Sequence, residues 1–245
     1  MTKKIWVINS FPKLFESYLD SGVAGQALRG ERGVPFELHS VVLRDFSEKG
    51  FKGVDSAPFG GSEGMVIRAD VLKNALIEGI VRPGNYGDNF KEKLHIVFTS
   101  PRGKVWSNEY CKEFASRVWE EDCTKDLVFI CGRYEGIDER FLEAYVDEVI
   151  SIGDFVITGG EVAVLTILDS ALRFIPGVLG NKLSSLNESF NGGLLEEPVY
   201  TRPREFEGLN VPDVLLSGNH KAIAEFKKEE RIRITKKFRP DLLDD

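Results

Sequence analysis

The chain has 245 residues, with 32 Lys/Arg against 39 Asp/Glu and a formal net charge of −7. Hydrophobic residues make up 42% and charged residues 29%, ordinary globular values that exclude wholesale disorder, collagen and coiled coil. A chain of this length holds one large domain, or a medium domain with a small one.

No apolar run approaches the ~20 residues of a membrane span, so no membrane association is expected. The opening MTKKIWVINSFP carries too short an apolar run for the core of a signal peptide. Cys111, Cys123 and Cys131 form no CxxC pair, which points to a reduced, cytoplasmic protein.

In chain order, residues 4–8 (KIWVI) read as a buried strand ending in the turn Asn9-Ser10-Phe11-Pro12. Residues 13–29 read as one helix and 36–43 as a second strand. Residues 50–64, rich in glycine and without periodicity, read as a loop. A helix is expected over 69–80, stopped by Arg82-Pro83-Gly84-Asn85, with a polar excursion up to 93.

A regular alternation follows. LHIVFT (94–99) is a strand, 100–103 a turn, 107–119 a helix, LVFIC (127–131) a strand and 132–136 a loop. Ile137, Phe141, Leu142, Tyr145, Val146 and Val149 form one apolar helical stripe. Residues 149–152 are β-like, 153–160 a second glycine-bearing loop, and 161–174 an almost wholly apolar, hence buried, helix. Strands alternating with helices predict an α/β layer with a mostly parallel sheet.

After Pro176-Gly177 the texture changes. The predicted organisation is a first domain over 1–180, a flexible polar linker over 181–193 (NKLSSLNESFNGG) and a small, basic, helical module over 194–245. Residues 219–239 hold eight Lys/Arg and three acids, leaving that segment at +5 and the rest of the chain at −12. Such a segment is either a phosphate-binding surface or a solvated helix face laced with ion pairs.

Several chemistries are excluded by the absence of their motifs. The chain contains no GxxxxGK[ST], no GxGxxG after a strand, no GxSxG elbow, and no zinc spacing among His39, His95 and His220. What remains is a set of glycine-bearing loops at strand ends: 99–103, 132–136 and 151–160. Ligands of open α/β sheets sit beyond the carboxyl ends of the strands. Together these loops would form a pocket of main-chain donors and acceptors suited to an adenosine-like ligand, although each alone is an ordinary turn.

Asp169 and Arg173 stand four residues apart, either as a structural ion pair or with Asp169 orienting Arg173 toward developing negative charge. Glu188, in the polar linker, is by patterning alone a solvated carboxylate. Glu135, beside Tyr134, is equally an acid placed at a helix N-terminus.

The blocks GRYEGIDER (132–140), SIGDFVITGGE (151–161), LDSALRFIPGVLG (168–180), GLLEEPVYTRP (193–203) and VPDVLLSGNH (211–220) closely resemble the bacterial tRNA (guanine-N(1))-methyltransferases of the TrmD family. INSFP (8–12), PFGGSEGM (58–65), FTSPRGK (98–104) and RPDLL (239–243) extend the resemblance over nearly the whole chain.

The resemblance implies a SPOUT-type α/β fold with a mostly parallel sheet, a deep trefoil knot and a small α-helical C-terminal domain. It implies a homodimer with its active site at the subunit interface. The implied reaction carries the methyl of S-adenosylmethionine to N(1) of guanosine 37 of tRNA when a guanosine precedes it. By matching positions the cofactor would be held by Phe98, Thr99, Ser100 and Pro101, by Gly132, Tyr134 and Glu135, by Ser151, Ile152, Gly153, Asp154, Phe155, Val156 and Ile157, and by Gly159 and Gly160. The target guanine would lie near Asp55, Gly64, Ser184 and Arg173. Glu188 matches the family's general base, and Arg173 would stabilise charge on the guanine carbonyl oxygen. No resident metal is expected; magnesium is implied by the family alone.

The sequence departs from the family pattern in places. Glu188 stands where aspartate is usual, Phe155 where tyrosine is common, Ser62 and Glu63 where small residues or proline are usual, and Ser56-Ala57 where a charged pair is common. Two rival readings share the fold: a catalytically weak or inactive RNA- or nucleotide-binding module, and a knotted methyltransferase acting on another RNA nucleotide. An NAD-dependent dehydrogenase would lack its phosphate loop.

Overall fold

The structure is a computed structural model, and it describes all residues except 1, 34–35, 48–52, 120–123, 180–187 and 244–245. It divides into two compact units, Met1–Gly180 and Asn181–Asp245.

The first unit is built on a five-stranded parallel sheet: β1 (Lys3–Asn9), β2 (Phe36–Val42), β5 (Leu94–Val105), β6 (Asp126–Cys131) and β7 (Glu148–Ser151), in the order β2-β1-β6-β5-β7. A separate two-stranded ribbon joins β3 (Asp55–Ser56) to β4 (Val66–Ile67). The helices are α1 (Pro12–Leu19), α2 (Gly22–Leu28), α3 (Ala69–Leu76), α4 (Phe90–Lys93), α5 (Asn108–Trp119), α6 (Glu139–Tyr145) and α7 (Gly160–Leu172).

The sheet is buried on both faces, and the period-two alternation of its strands sorts the core into two clusters. Ile5, Val7, Val97, Leu127, Phe129 and Cys131 point to the side of Phe15, Phe114, Val164 and Leu168, on α1, α5 and α7. Trp6, Ile8, Ile96, Phe98, Val128 and Ile130 point to the side of Leu72, Leu76 and Phe141, on α3 and α6. A one-residue slip of any of these strands would exchange its two sets of apolar side chains. Because β5 lies between β6 and β7, the chain leaves β5 through α5 on one face and returns through α6 on the other. The order therefore reverses at β5, and a crevice opens at the carboxyl ends of these strands.

Four sequence expectations change. The helix expected over 13–29 is two helices, because Ser21 is extended (φ −124°, ψ 140°) between α1 and α2. The turn expected at 100–103 lies inside β5: pairing with β7 breaks at Thr99 and resumes at Lys104 after a register shift. The polar excursion contains α4. The helix expected over 69–80 is α3 followed by a wider turn over Ile77–Val81.

The second unit holds the ribbon β8 (Glu205–Phe206) and β9 (Leu209–Asn210), then α8 (Asp213–Leu216) and α9 (His220–Phe238). The ribbon replaces helix at the start of the basic module, with Glu207 (φ 52°) and Gly208 (φ 80°) as its two-residue turn. Asn219 caps α9, its side chain accepting from the Ala222 N–H at 3.2 Å. Of the expected linker, residues 181–187 lie outside the described residues, and Asn191–Gly193 form a single tight turn.

Candidate active site

At the carboxyl ends of β5, β6 and β7 the first unit opens into a cleft of about 860 Å³, the open space at its mouth included. Its lining draws together three loops that are distant in sequence. Phe98, Thr99, Ser100 and Pro101 come from β5. Gly132, Tyr134 and Glu135 follow β6. Ser151, Ile152, Gly153, Phe155, Val156, Ile157, Gly159 and Gly160 run from β7 into α7. Asp154, expected with them, stands outside the lining; the chain turns at Gly153 (φ 142°), and the Phe155 ring packs back over that glycine.

Close backbone approach shapes the cavity. A Cβ on Gly160 would lie 2.5 Å from Thr99 Oγ1 and 2.6 Å from Gly132 N, so only glycine lets α7 start this near the ends of β5 and β6. The contact is fixed by a hydrogen bond from Gly160 N to Gly132 O at 2.7 Å. Tyr134, Phe155, Val156 and Ile157 leave apolar surface exposed at the mouth. Cys131 borders the site, and burial pushes its thiol well up, so it is a neutral packing group rather than a nucleophile or metal ligand.

Gly64 belongs to the same neighbourhood. The 58–65 loop lies along 132–136, joined by Glu135 N to Met65 O at 2.9 Å and Ile67 N to Gly136 O at 2.9 Å. Gly64 has φ +92°, and a Cβ there would meet the Glu135 Cγ at 2.5 Å. The bare glycine thus leaves Glu135 its place beside the cavity. Asp55 sits on β3 opposite Ile67.

Arg173 follows α7 as its C-terminal cap and is exposed. Asp169, read in the sequence either as its structural ion-pair partner or as orienting it, accepts a hydrogen bond from the Tyr18 hydroxyl at 2.6 Å. Glu188 lies in the second unit, where its carbonyl accepts from Asn191 N at 3.2 Å. Ser184 lies outside the described residues.

The lining also includes Arg133, Gly136 and Thr158, which lie in the predicted loops but were given no individual role, and Ile150 and Ala163, which lie outside those loops. A usable signal was present for Arg133. Glu161 opens an otherwise apolar helix, and a buried acid there requires a cation from a neighbouring loop. Among the described residues no group of three or more His, Cys, Asp or Glu is arranged to hold a metal ion.

The fold and the site define an α/β protein with a mostly parallel sheet, a cavity of three glycine-bearing loops at the carboxyl ends of its strands, and no P-loop or dinucleotide-binding motif. Comparison with known proteins narrows this class. The tRNA (guanine-1)-methyltransferase TrmD family model matches residues 3–245. A tRNA (guanine-N(1)-)-methyltransferase of Clostridioides difficile is 43% identical over 236 residues, covering 96% of this chain and 95% of its own. One of Bartonella bacilliformis is 43% identical over 242 residues (99% and 95%), and one of Agrobacterium fabrum 41% over 247 residues (100% and 97%). The chain belongs to the TrmD family.

Proposed function

We propose that this chain methylates N(1) of guanine in tRNA, at guanosine 37, with S-adenosylmethionine as donor. The observation that carries this reading is the cavity. Fifteen of the sixteen positions matched to the family's cofactor site line it, and its glycine-cleared walls present peptide groups of the kind that hold an adenosine. Bound there, S-adenosylmethionine supplies a methyl group already activated on a sulfonium.

The protein's own residues have three tasks. The three loops hold and orient the donor. Glu188 takes the proton from guanine N(1) as that nitrogen attacks, a role typically worth about 10²–10⁴-fold. Arg173 faces the carbonyl oxygen on which electron density builds. Gly64 and Asp55 belong to the guanine's side of the site in this reading, and Ser184 is matched to it by the family resemblance alone. Glu188 is one methylene longer than the family's usual aspartate and performs the same proton transfer from a backbone set further back. No step runs through magnesium.

The second unit grips tRNA. On α9, Lys227 pairs with Glu197 and Arg233 with Glu230, and Arg231 donates to the Leu195 and Asn191 carbonyls; just past the helix Arg239 pairs with Asp241. Lys221, Lys228 and Lys236 are exposed and recur at intervals of seven and eight along one side of α9, where exposed Glu225 and Glu229 also stand. In this reading these lysines supply the contacts to tRNA phosphates.

The same proposal includes the knotted chain path, the homodimer with its shared active site, the linker's closure around tRNA and a cytoplasmic location. Gly103, packed against the Ile150 backbone, and Gly160, packed against Gly132, support close threading of the three segments. Exposed Phe11 at the start of α1, Leu14 on α1 and Val162 on α7 offer apolar surface to a second copy. No helix among the described residues is long and apolar enough to cross a membrane.

The test uses labelled S-adenosylmethionine and two tRNA transcripts, one with guanosine at 36 and 37 and one altered at 37. Label in the first alone is expected. Label in neither would leave a binding module, and equal label in both would mean another target nucleotide.

A further inference from the structure

Glu161 is 1% exposed in the first turn of α7. A carboxylate removed from water persists only with a cation and hydrogen-bond donors around it. Arg133 supplies Nη2 to Oε2 at 3.1 Å and Nε to Oε1 at 3.4 Å, and the backbone N–H of Ser10 donates to Oε1 at 3.1 Å. The positive end of α7 adds its own field.

The same guanidinium reaches further. Its Nη1 donates to the Thr158 carbonyl at 3.4 Å, and its carbon lies 4.1 Å from the centre of the Phe11 ring. Gly159 has no side chain to obstruct it: a Cβ there would fall 2.6 Å from Arg133 Nη2 and 2.7 Å from Glu161 Oε2. One planar fork therefore ties together the turn after β1, the loop after β6 and the loop leading into α7. Residues 132–136 and 157–160 of the latter two form walls of the cavity.

We propose that Arg133 and Glu161 are positioning residues for methyl-donor binding, their buried pair holding residues 158–160 against 132–134 in the shape that receives the donor. This rests on the cavity being the S-adenosylmethionine site. The physical reason is preorganisation. A site made of main-chain donors and acceptors is only as exact as its loops, and a loop that must be ordered during binding weakens affinity. The guanidinium, engaged by Glu161, Thr158 and Phe11, leaves donor recognition to the peptide groups. Lysine cannot replace it, because a point charge does not span a carboxylate and a second carbonyl at once.

The decisive variant is the double substitution R133M/E161M in the full-length protein. Replacing both members of a buried pair by apolar residues of similar volume is often neutral for folding, so it separates positioning from stability. Melting temperature, calorimetric affinity for S-adenosylmethionine, and kcat on tRNA at saturating donor are measured together. The expected result is a melting temperature within a few degrees of wild type, a donor Kd raised about tenfold or more, and a kcat that falls far less than the affinity. Arg133→Lys should give an intermediate Kd.

A double variant that melts like wild type and binds the donor within about twofold of it would overturn the proposal. Should the double variant fail to fold, Arg133→Lys decides, and a wild-type Kd there would overturn it equally. Failure of the wild-type protein to bind S-adenosylmethionine would instead bring down the reading of the cavity itself.

Discussion

Gly160→Ala puts the close approach of α7 to the sheet under direct strain. The added methyl would sit 2.5 Å from Thr99 Oγ1, 2.6 Å from Gly132 N and 2.8 Å from Cys131 Cα. Ordinary carbon contacts begin near 3.4 Å, so the start of α7 must withdraw by about 0.6–0.9 Å, the kind of backbone shift that overpacking forces. Two of the three obstacles are backbone atoms of β6 and its loop, and neither can swing aside. The withdrawal also stretches the 2.7 Å hydrogen bond from Gly160 N to Gly132 O.

Overpacking of this kind costs roughly 1–3 kcal/mol, which lowers the melting temperature by about 2–4 °C per kcal/mol for a chain of this size. Because the displaced segment is a wall of the cavity, donor affinity should fall with it. A misplacement near 1 Å is worth about 10²-fold in catalysis. Thermal denaturation, donor calorimetry and methyl transfer on tRNA read the three consequences. Unchanged melting together with a donor Kd within about twofold of wild type would refute the claim that this glycine sets the cavity's shape.

Glu148 offers a pH test. Burial opposes its charge, but hydrogen bonds from His95 Nε2 (2.7 Å), the Tyr110 hydroxyl and Arg117 Nη2 (2.8 Å) prevail and bring its carboxyl down from 4.5 to about 2. That preference for the anion is worth on the order of 3 kcal/mol, present in full above pH 4.5 and lost as pH falls toward 2. Glu148→Gln should therefore be less stable than wild type at pH 7 in urea denaturation, with the gap narrowing below pH 4.5 and closing near pH 2; parallel profiles would contradict the assignment. Glu188→Gln and Arg173→Ala should each lower kcat by about 10²-fold or more with donor affinity nearly intact, and full turnover by Glu188→Gln would remove it as the base. Replacing Lys221, Lys228 and Lys236 by alanine should weaken tRNA binding and reduce the slope of log affinity against log salt by about 2–3; an unchanged slope would move the phosphate grip elsewhere.

The parallel sheet was legible because strands buried on both faces leave continuous β-branched and aromatic runs, as in 94–99 and 127–131. The breaks were less so. Ser21 is extended within a stretch whose composition reads as helix throughout. The SPRG segment reads as a turn, yet Lys104 and Val105 resume pairing with Ile150 and Ser151, a long-range interaction with no local signature. The ribbon at 205–210 is only four paired residues around a Glu-Gly turn, too short for an alternation to register.

The site divides the same way. Residue blocks identified the three loops because such blocks are specific in order and composition. Arg133 and Glu161, 28 positions apart, meet only because β6 and α7 are neighbours in the fold. The hydrogen bond from the Tyr18 hydroxyl to Asp169, 151 positions apart, likewise exists only because α1 packs against α7.

The most direct test of the central claim is a crystal structure of the full-length protein with S-adenosylhomocysteine. The ligand is expected in the cavity between residues 98–101, 132–136 and 151–160, its purine and ribose held mainly by peptide N–H and C=O groups. Density for the ligand at any other place, or a purine held chiefly by charged side chains, would contradict it.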